Sequence, residues 1–218
     1  MPSPPDVVEE ELEAWAAVPL GHGFAIEYAR VAHADLGGVA AAGGRIVGSV
    51  VGDVSMAGAR LRSLALTDVI AHDLDASNAD WTGAKLRRVV FERCRLTGAG
   101  FAELDAADVV FRSCTLDLAS FRGARIERAT FEQCRFDEAD FSGAWLKEVR
   151  FAASQLRRVE LEQVTLSGVD LRGSELAEPR GDLLALRGAI IDSLQLIDLA
   201  PLLAARLGIR VDDEPPAA

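Results

Sequence analysis

Few side chains in this sequence could do chemistry near neutral pH. His22, His33 and His72 are its only histidines, and histidine is the side chain whose ordinary pKa lets it exchange a proton near pH 7. Hydrolase or transferase chemistry would need such a base beside a nucleophile, or paired carboxylates, held in a cleft. Cys94, Cys114 and Cys134 stand twenty residues apart and lack the CxxC spacing of metal and redox sites. Gly83, Gly98, Gly123, Gly143, Gly168 and Gly173 compose no phosphate-binding loop; their regular spacing marks corners of the chain. No catalytic residue, no metal and no cofactor is therefore expected.

The elements that would hold these residues follow from one periodicity. From Ile26 to Ile191 every fifth residue is apolar, over 34 positions with the single exception of Gly181. The residue two before each is small or branched, as in Ala119, Ala124, Ala129, Cys134, Ala139 and Ala144. A helix needs apolar recurrence near 3.6 and a half-buried strand near 2, so a strict five predicts a chain that turns a corner every five residues. Four corners close a square of twenty. Squares stacked at the strand spacing of about 4.8 Å put residues twenty apart above one another. Phe91, Phe111, Phe131 and Phe151 should then form one column, and Phe101, Phe121 and Phe141 a second beneath Trp81. The cysteines form a third, read as reduced core residues. His33 and His72 share a face two coils apart, roughly 9–10 Å, too far to act on one proton. A closed square leaves no cleft.

Blocks such as Ala139-Asp140-Phe141-Ser142-Gly143, Ala119-Ser120-Phe121-Arg122-Gly123 and Val169-Asp170-Leu171-Arg172-Gly173 resemble the A(D/N)LXX motif of the pentapeptide-repeat proteins. The resemblance implies an all-β solenoid, a right-handed quadrilateral β-helix with the centre residue and the residue two before it pointing inward. The closed coil without a cleft predicts a non-enzymatic protein. Some topoisomerase-acting, quinolone-resistance-type members carry projecting loops; this chain has no insertion between Trp81 and Phe151. Their C-terminal helix pairs two subunits tail to tail.

The ends depart from the period. Residues 1–23 read as a tail and a capping helix, Pro5 to Ala17, with Val8, Leu12 and Trp15 on one face. Residues 24–191 are the β-helix, interrupted at Gly181, where Pro179 and the glycine predict a bulged corner. Residues 192–211 read as a helical cap started by Asp192 or Ser193, divided at Pro201 and stopped at Gly208. The short N-terminal and C-terminal helical caps would cover the open ends. The second segment has more apolar residues than one stripe needs, so Leu199, Leu202, Leu203, Leu207 and Ile209 are candidate homodimer contacts. Residues 212–218 read as a flexible tail.

The net charge of −11 lies mainly at the ends, −5 in residues 1–25 and −3 in residues 192–218, leaving −3 on the coil. There is no basic start followed by an apolar run and no stretch of 18 uncharged apolar residues, so a cytoplasmic, non-membrane protein is expected. The family resemblance implies a DNA-shaped decoy for DNA gyrase or another type II topoisomerase, with drug protection as the outcome. Asp137, Glu138, Glu175 and Glu178 are the candidate partner-binding acidic face. The alternative is a protein–protein interaction scaffold without topoisomerase activity, using faces such as the basic strip of Lys85, Arg87, Arg88, Arg125, Arg128 and Lys147. Direct nucleic-acid binding is not expected.

Overall fold

The computed structural model describes residues 1–16 and 19–212. It is a β-solenoid of about nine turns with mostly parallel strands and one α-helix at its C-terminal end. The corner is a backbone event. From Gly23 to Glu178 every fifth residue, two past each apolar centre, has φ between 48° and 74°. A single left-handed residue redirects an extended chain, and one every five residues closes the square. Aspartates of the repeat motif steady the turns. The Oδ1 atoms of Asp75, Asp80 and Asp140 accept the amides of Ser77, Thr82 and Ser142 at 3.0, 3.0 and 2.8 Å.

Six eight-residue strands, Arg45–Gly52, Ala65–His72, Lys85–Glu92, Asp105–Arg112, Arg125–Glu132 and Trp145–Ala152, pair in parallel with a constant offset of twenty residues. Each contains one corner and so lines two sides of the square. The other sides are held by single bridges such as Asp75↔Arg95 and Asp80↔Gly100. One of these sides widens near its end into a three-stranded sheet, Arg135–Asp137, Gln155–Arg157 and Glu175–Ala177.

Every centre residue from Ile26 to Leu161 is buried. Phe91, Phe111, Phe131 and Phe151 stack at 4.8, 4.8 and 4.9 Å between ring centroids. Phe101, Phe121 and Phe141 stack at 5.1 and 4.9 Å, and Trp81 meets Phe101 edge-on at 5.7 Å. The strand spacing dictates this separation, which lies within the range favoured by aromatic pairs.

The bottom is closed differently from the expected helix. Over Pro5 to Ala17 there is only a 3-10 turn, Glu9–Glu11, followed by a two-residue strand, Glu13–Ala14; Ala17 itself lies outside the described residues. That strand pairs with Ala29–Ala32, supplying backbone partners to the first coil's open edge, which a helix would leave unpaired. Trp15 still packs against the core, while Val8 is exposed. Residues 1–8 run up the outside of the coil, where Asp6 N donates to Asp68 Oδ1 at 2.9 Å and Ser3 N to Asp108 Oδ1 at 3.0 Å.

At the top, the interruption is a 3-10 turn, Leu183–Leu186, in addition to the corner expected at Gly181. Gly181 has φ 88°, and a Cβ there would lie 2.8 Å from Glu162 N. The period returns with Ala189–Ile190, paired to Val169–Asp170. Helix α1, Ser193–Arg206, runs through Pro201 as one piece instead of two. The proline sits on the exposed side, where solvent can serve the carbonyl that its missing N–H leaves. Asp192 and Gln195 form a capping box. Gly208, with φ 69°, ends the helix as expected. Residues 213–218 of the expected tail lie outside the described residues.

Candidate interaction surfaces

The residues with chemical potential are occupied or far apart. His22 Nδ1 accepts the Ala42 amide at 3.0 Å. His72 Nδ1 lies 3.1 Å from Asp73 Oδ2, and His33 is solvated, 3.9 Å from Asp53. The three cysteines are free and buried. Cys94 Sγ donates to Glu92 O at 3.4 Å and Cys114 Sγ to Arg112 O at 3.2 Å. Hydrogen bonding with the Cys114 thiol, and then burial, raises Cys94 well above the ordinary thiol range. Contact with Cys134 pushes Cys114 up to about 12. Hydrogen bonding with Cys114 lowers Cys134 instead, but all three thiols lie buried in the core column, out of reach of a substrate. Among the described residues no group of three or more His, Cys, Asp or Glu could hold a metal ion.

The outer faces are charged, and the charges are matched between coils. Arg88 grips Asp68 with two bonds of 2.6 Å, Arg93 grips Asp73 at 2.9 and 2.8 Å, and Arg128 grips Asp108 at 3.1 and 2.9 Å. Parallel register makes this possible, because a side chain twenty residues on lies directly above. The Arg93 guanidinium and then His72 hold Asp73 at about 2. Arg88 and Arg128 likewise hold Asp68 and Asp108 below the usual carboxylate range. The expected basic strip is thus largely spoken for. Arg87 bonds Asp105 at 2.6 Å, Lys147 bonds Glu127 at 3.0 Å, and Arg125 lies 4.2 Å above the Trp145 ring, while Lys85 is exposed.

The four candidate acids do come together, along the three-stranded sheet. Asp137 and Glu175 lie on its outer strands, and Glu138 and Glu178 at the corners that follow. Between them runs the strand that ends at Arg157, with Arg158 at the corner that follows. Arg158 bonds Asp137 at 2.5 Å and Glu138 at 3.0 Å, and Arg157 bonds Glu175 at 2.7 Å. The patch is an interleaved ionic surface, not a bare acidic one. The candidate dimer residues divide. Leu199 is buried against the coil and Leu203 half-buried, so Leu199 is not free for a second chain. Leu202, Leu207 and Ile209 are exposed, with Leu194 and Ile197 beside them on the helix.

Two family profiles match the chain: "Pentapeptide repeat region" at residues 84–161 and 104–180, and "Pentapeptide repeats (8 copies)" at residues 66–101. Together they span residues 66–180, just over half of the sequence. The chain belongs to the pentapeptide-repeat family.

Among solved structures, this pentapeptide-repeat protein is similar to QnrB1, a plasmid-mediated fluoroquinolone resistance protein, in a trypsin-treated form. The identity is 23%, the match covers 88% of this chain and 92% of that one, and the TM-score is 0.46. It is also similar to HetL, involved in heterocyst differentiation regulation in the cyanobacterium Nostoc sp. strain PCC 7120. There the identity is 19%, the coverage 80% and 92%, and the TM-score 0.33. No curated protein matches.

Two features of this pentapeptide-repeat protein were not read from its sequence. Gln195, 5% exposed, sends Nε2 to the carbonyls of Leu171 and Ser174 at 2.6 and 2.7 Å, sealing the last coil. The Asp192–Gln195 spacing was its signal, as a capping box with an uncharged partner. The anchoring of Ser3 and Asp6 on the coil had no local signal, since their partners lie 105 and 62 residues away.

Proposed function

We propose that this pentapeptide-repeat protein is a non-enzymatic binding rod that acts through its outer faces, with a type II topoisomerase such as DNA gyrase as partner and drug protection as the consequence. The binding reading is carried by one observation: the interior is a packed column of apolar side chains, so only the surface is left to act. Proteins of this family are generally structural or interaction proteins. The topoisomerase reading is supported by shape. About nine turns at ~4.8 Å make a rod of ~43 Å. The exposed apolar residues of the terminal helix support a tail-to-tail homodimer about twice as long.

Charge does not support imitation of DNA by a continuous negative field. A duplex of that length carries roughly 25 charges, whereas the coil nets −3 and its acids are largely paired. Recognition would run through the interleaved patch around Asp137, Glu138, Glu175 and Glu178. That same pairing favours the second reading, a scaffold for a different protein partner.

Gyrase supercoiling with added protein, with and without a quinolone, separates the two. The first reading expects inhibition or protection at micromolar protein, lost in a Glu175→Lys, Glu178→Lys variant that melts like the parent. An intact dimer giving neither effect refutes the topoisomerase reading and leaves the scaffold.

A further inference from the structure

The face made by the long strands carries an apolar stripe on its outside: Val50, Ile70, Val90, Val110 and Thr130 pair in one column. Val50 is 2% exposed yet stands apart from the contiguous apolar cluster of the interior, so it is covered from the outer face. Beside the stripe stands the corner column Asp68, Arg88, Asp108, Arg128, every member left-handed, with acid and base alternating.

The N-terminal arm lies along this face. It is anchored at Asp108 by the amide of Ser3, at Asp68 by the amide of Asp6, and at Arg30, whose guanidinium donates to Glu9 O at 3.1 Å. Val50 pairs between Arg30 and Ile70, so the chain from Asp6 to Glu9 must cross its level, and Val7 is half-buried there. The spacings agree. Three residues of extended, proline-rich chain span ~9.3 Å, and two coils rise ~9.6 Å. Pro2, Pro4 and Pro5 have no N–H, so Ser3 and Asp6 carry the only peptide amides between residues 2 and 6, and each meets an aspartate.

Within residues 1–8 these polar contacts are made by backbone amides; the Glu9 carboxylate, 3.4 Å from Arg30, lies just beyond them. Two backbone amides three residues apart satisfy the successive acids Asp68 and Asp108 of the column, and Arg88 and Arg128 hold these acids charged and aimed. The groove beside Met1 and Pro2, about 400 Å³ and lined also by Val110, Thr130, Glu132 and Arg150, has room for a segment longer than the arm.

We propose that this face is a binding site for an extended, proline-rich segment of another polypeptide, and that residues 1–8 are its built-in competitor. The arm's tether gives it a high local concentration, so a partner binds by displacing it. This surface is separate from the patch at Asp137 and Glu175, and its fate does not decide the gyrase question.

The test uses the full chain and a fluorescent peptide with the sequence of residues 1–8. In the chain, Ser3→Pro, Asp6→Pro and Val7→Asp release the arm without touching the coil. The peptide should bind this chain roughly tenfold or more tighter than the parent, and a peptide carrying Ser3→Pro and Asp6→Pro roughly tenfold or more weaker than the native peptide. Hydrogen exchange should find the Ser3 and Asp6 amides protected in the parent. Four results overturn the proposal: no peptide binding to the released chain at millimolar concentration; equal binding to both chains; equal binding of both peptides; or a parent dimer that the arm substitutions dissolve, which assigns the face to a second copy's arm.

Discussion

Corners of the square are where single residues carry the most conformational cost. Leu118 holds φ 57° while 59% exposed. The left-handed region costs an L-residue about 1–2 kcal/mol, against about 0.5–1 kcal/mol of extra chain entropy lost by glycine. Leu118→Gly should therefore stabilise by about 0.5–1 kcal/mol, read as a higher urea midpoint with unchanged slope. The glycines at corner positions were legible in the sequence as turns. The left-handed arginines, aspartates and glutamates were not, because the stacked coils override their local preference. Their carboxylates set the acid limit of the fold. Asp68, Asp73 and Asp108 have pKa values lowered in the folded state, Asp73 to about 2. Their stabilisation is whole above the unfolded value near 4 and is lost as pH falls through the folded values. Melting temperature should be flat near neutral pH and fall between about pH 4 and 2. Arg88→Gln with Arg93→Gln should lower the melting temperature at neutral pH and flatten that fall, because the folded values of Asp68 and Asp73 return toward the unfolded one, as circular dichroism would report.

Helix α1 and the last coil form a unit whose stability rests on one amide. In Gln195→Ala the carbonyls of Leu171 and Ser174 lose their buried donor and the capping box is broken, a loss of about 2–3 kcal/mol. Gln195→Glu should be worse at pH 7, since a carboxylate would face two carbonyl oxygens. Solenoid repeats couple mainly to their neighbours, so hydrogen exchange should accelerate first around Ser174 and Glu175 and leave Phe111 to Phe131 protected. The same neighbour-only coupling explains which elements could be read in advance. Phe91 to Phe151 obey a rule repeated every five residues, which fixes both address and partner. The arm and the first closing strand obey none. Val8, Leu12 and Trp15 fit a helical stripe, but the unpaired edge at Ala29–Ala32 captured Glu13–Ala14 as a strand. Edge pairing is a property of the assembled coil, so no window of local sequence announces it.

A rod of stacked coils has two ends, and each must end its sheet without inviting another. At the bottom the chain does this with its own strand, Glu13–Ala14, leaving acids around the edge. At the top, α1 covers the coil with Leu199 and Leu203 and turns Leu194, Ile197 and Leu202 outward, with Leu207 exposed at its C-cap. Leaving this many large apolar groups exposed favours a matching surface, and a second copy would supply one by two-fold symmetry. Burial accounts for such an interface better than charge does, because Arg206 and Arg210 are already paired with Asp182 and Asp212 at 3.3 and 3.0 Å. Association should therefore persist in molar salt, which screens ion pairs and leaves apolar contact intact. Leu202→Glu with Leu207→Glu should convert dimer to monomer in sedimentation velocity at micromolar protein, with the coil's melting temperature nearly unchanged, since neither side chain packs on the coil. Leu199→Glu should act in the opposite manner, lowering the melting temperature first, because its side chain belongs to the cap. If the exposed pair leaves a dimer intact, the ends are not where two copies meet, and the long faces become the surface to search.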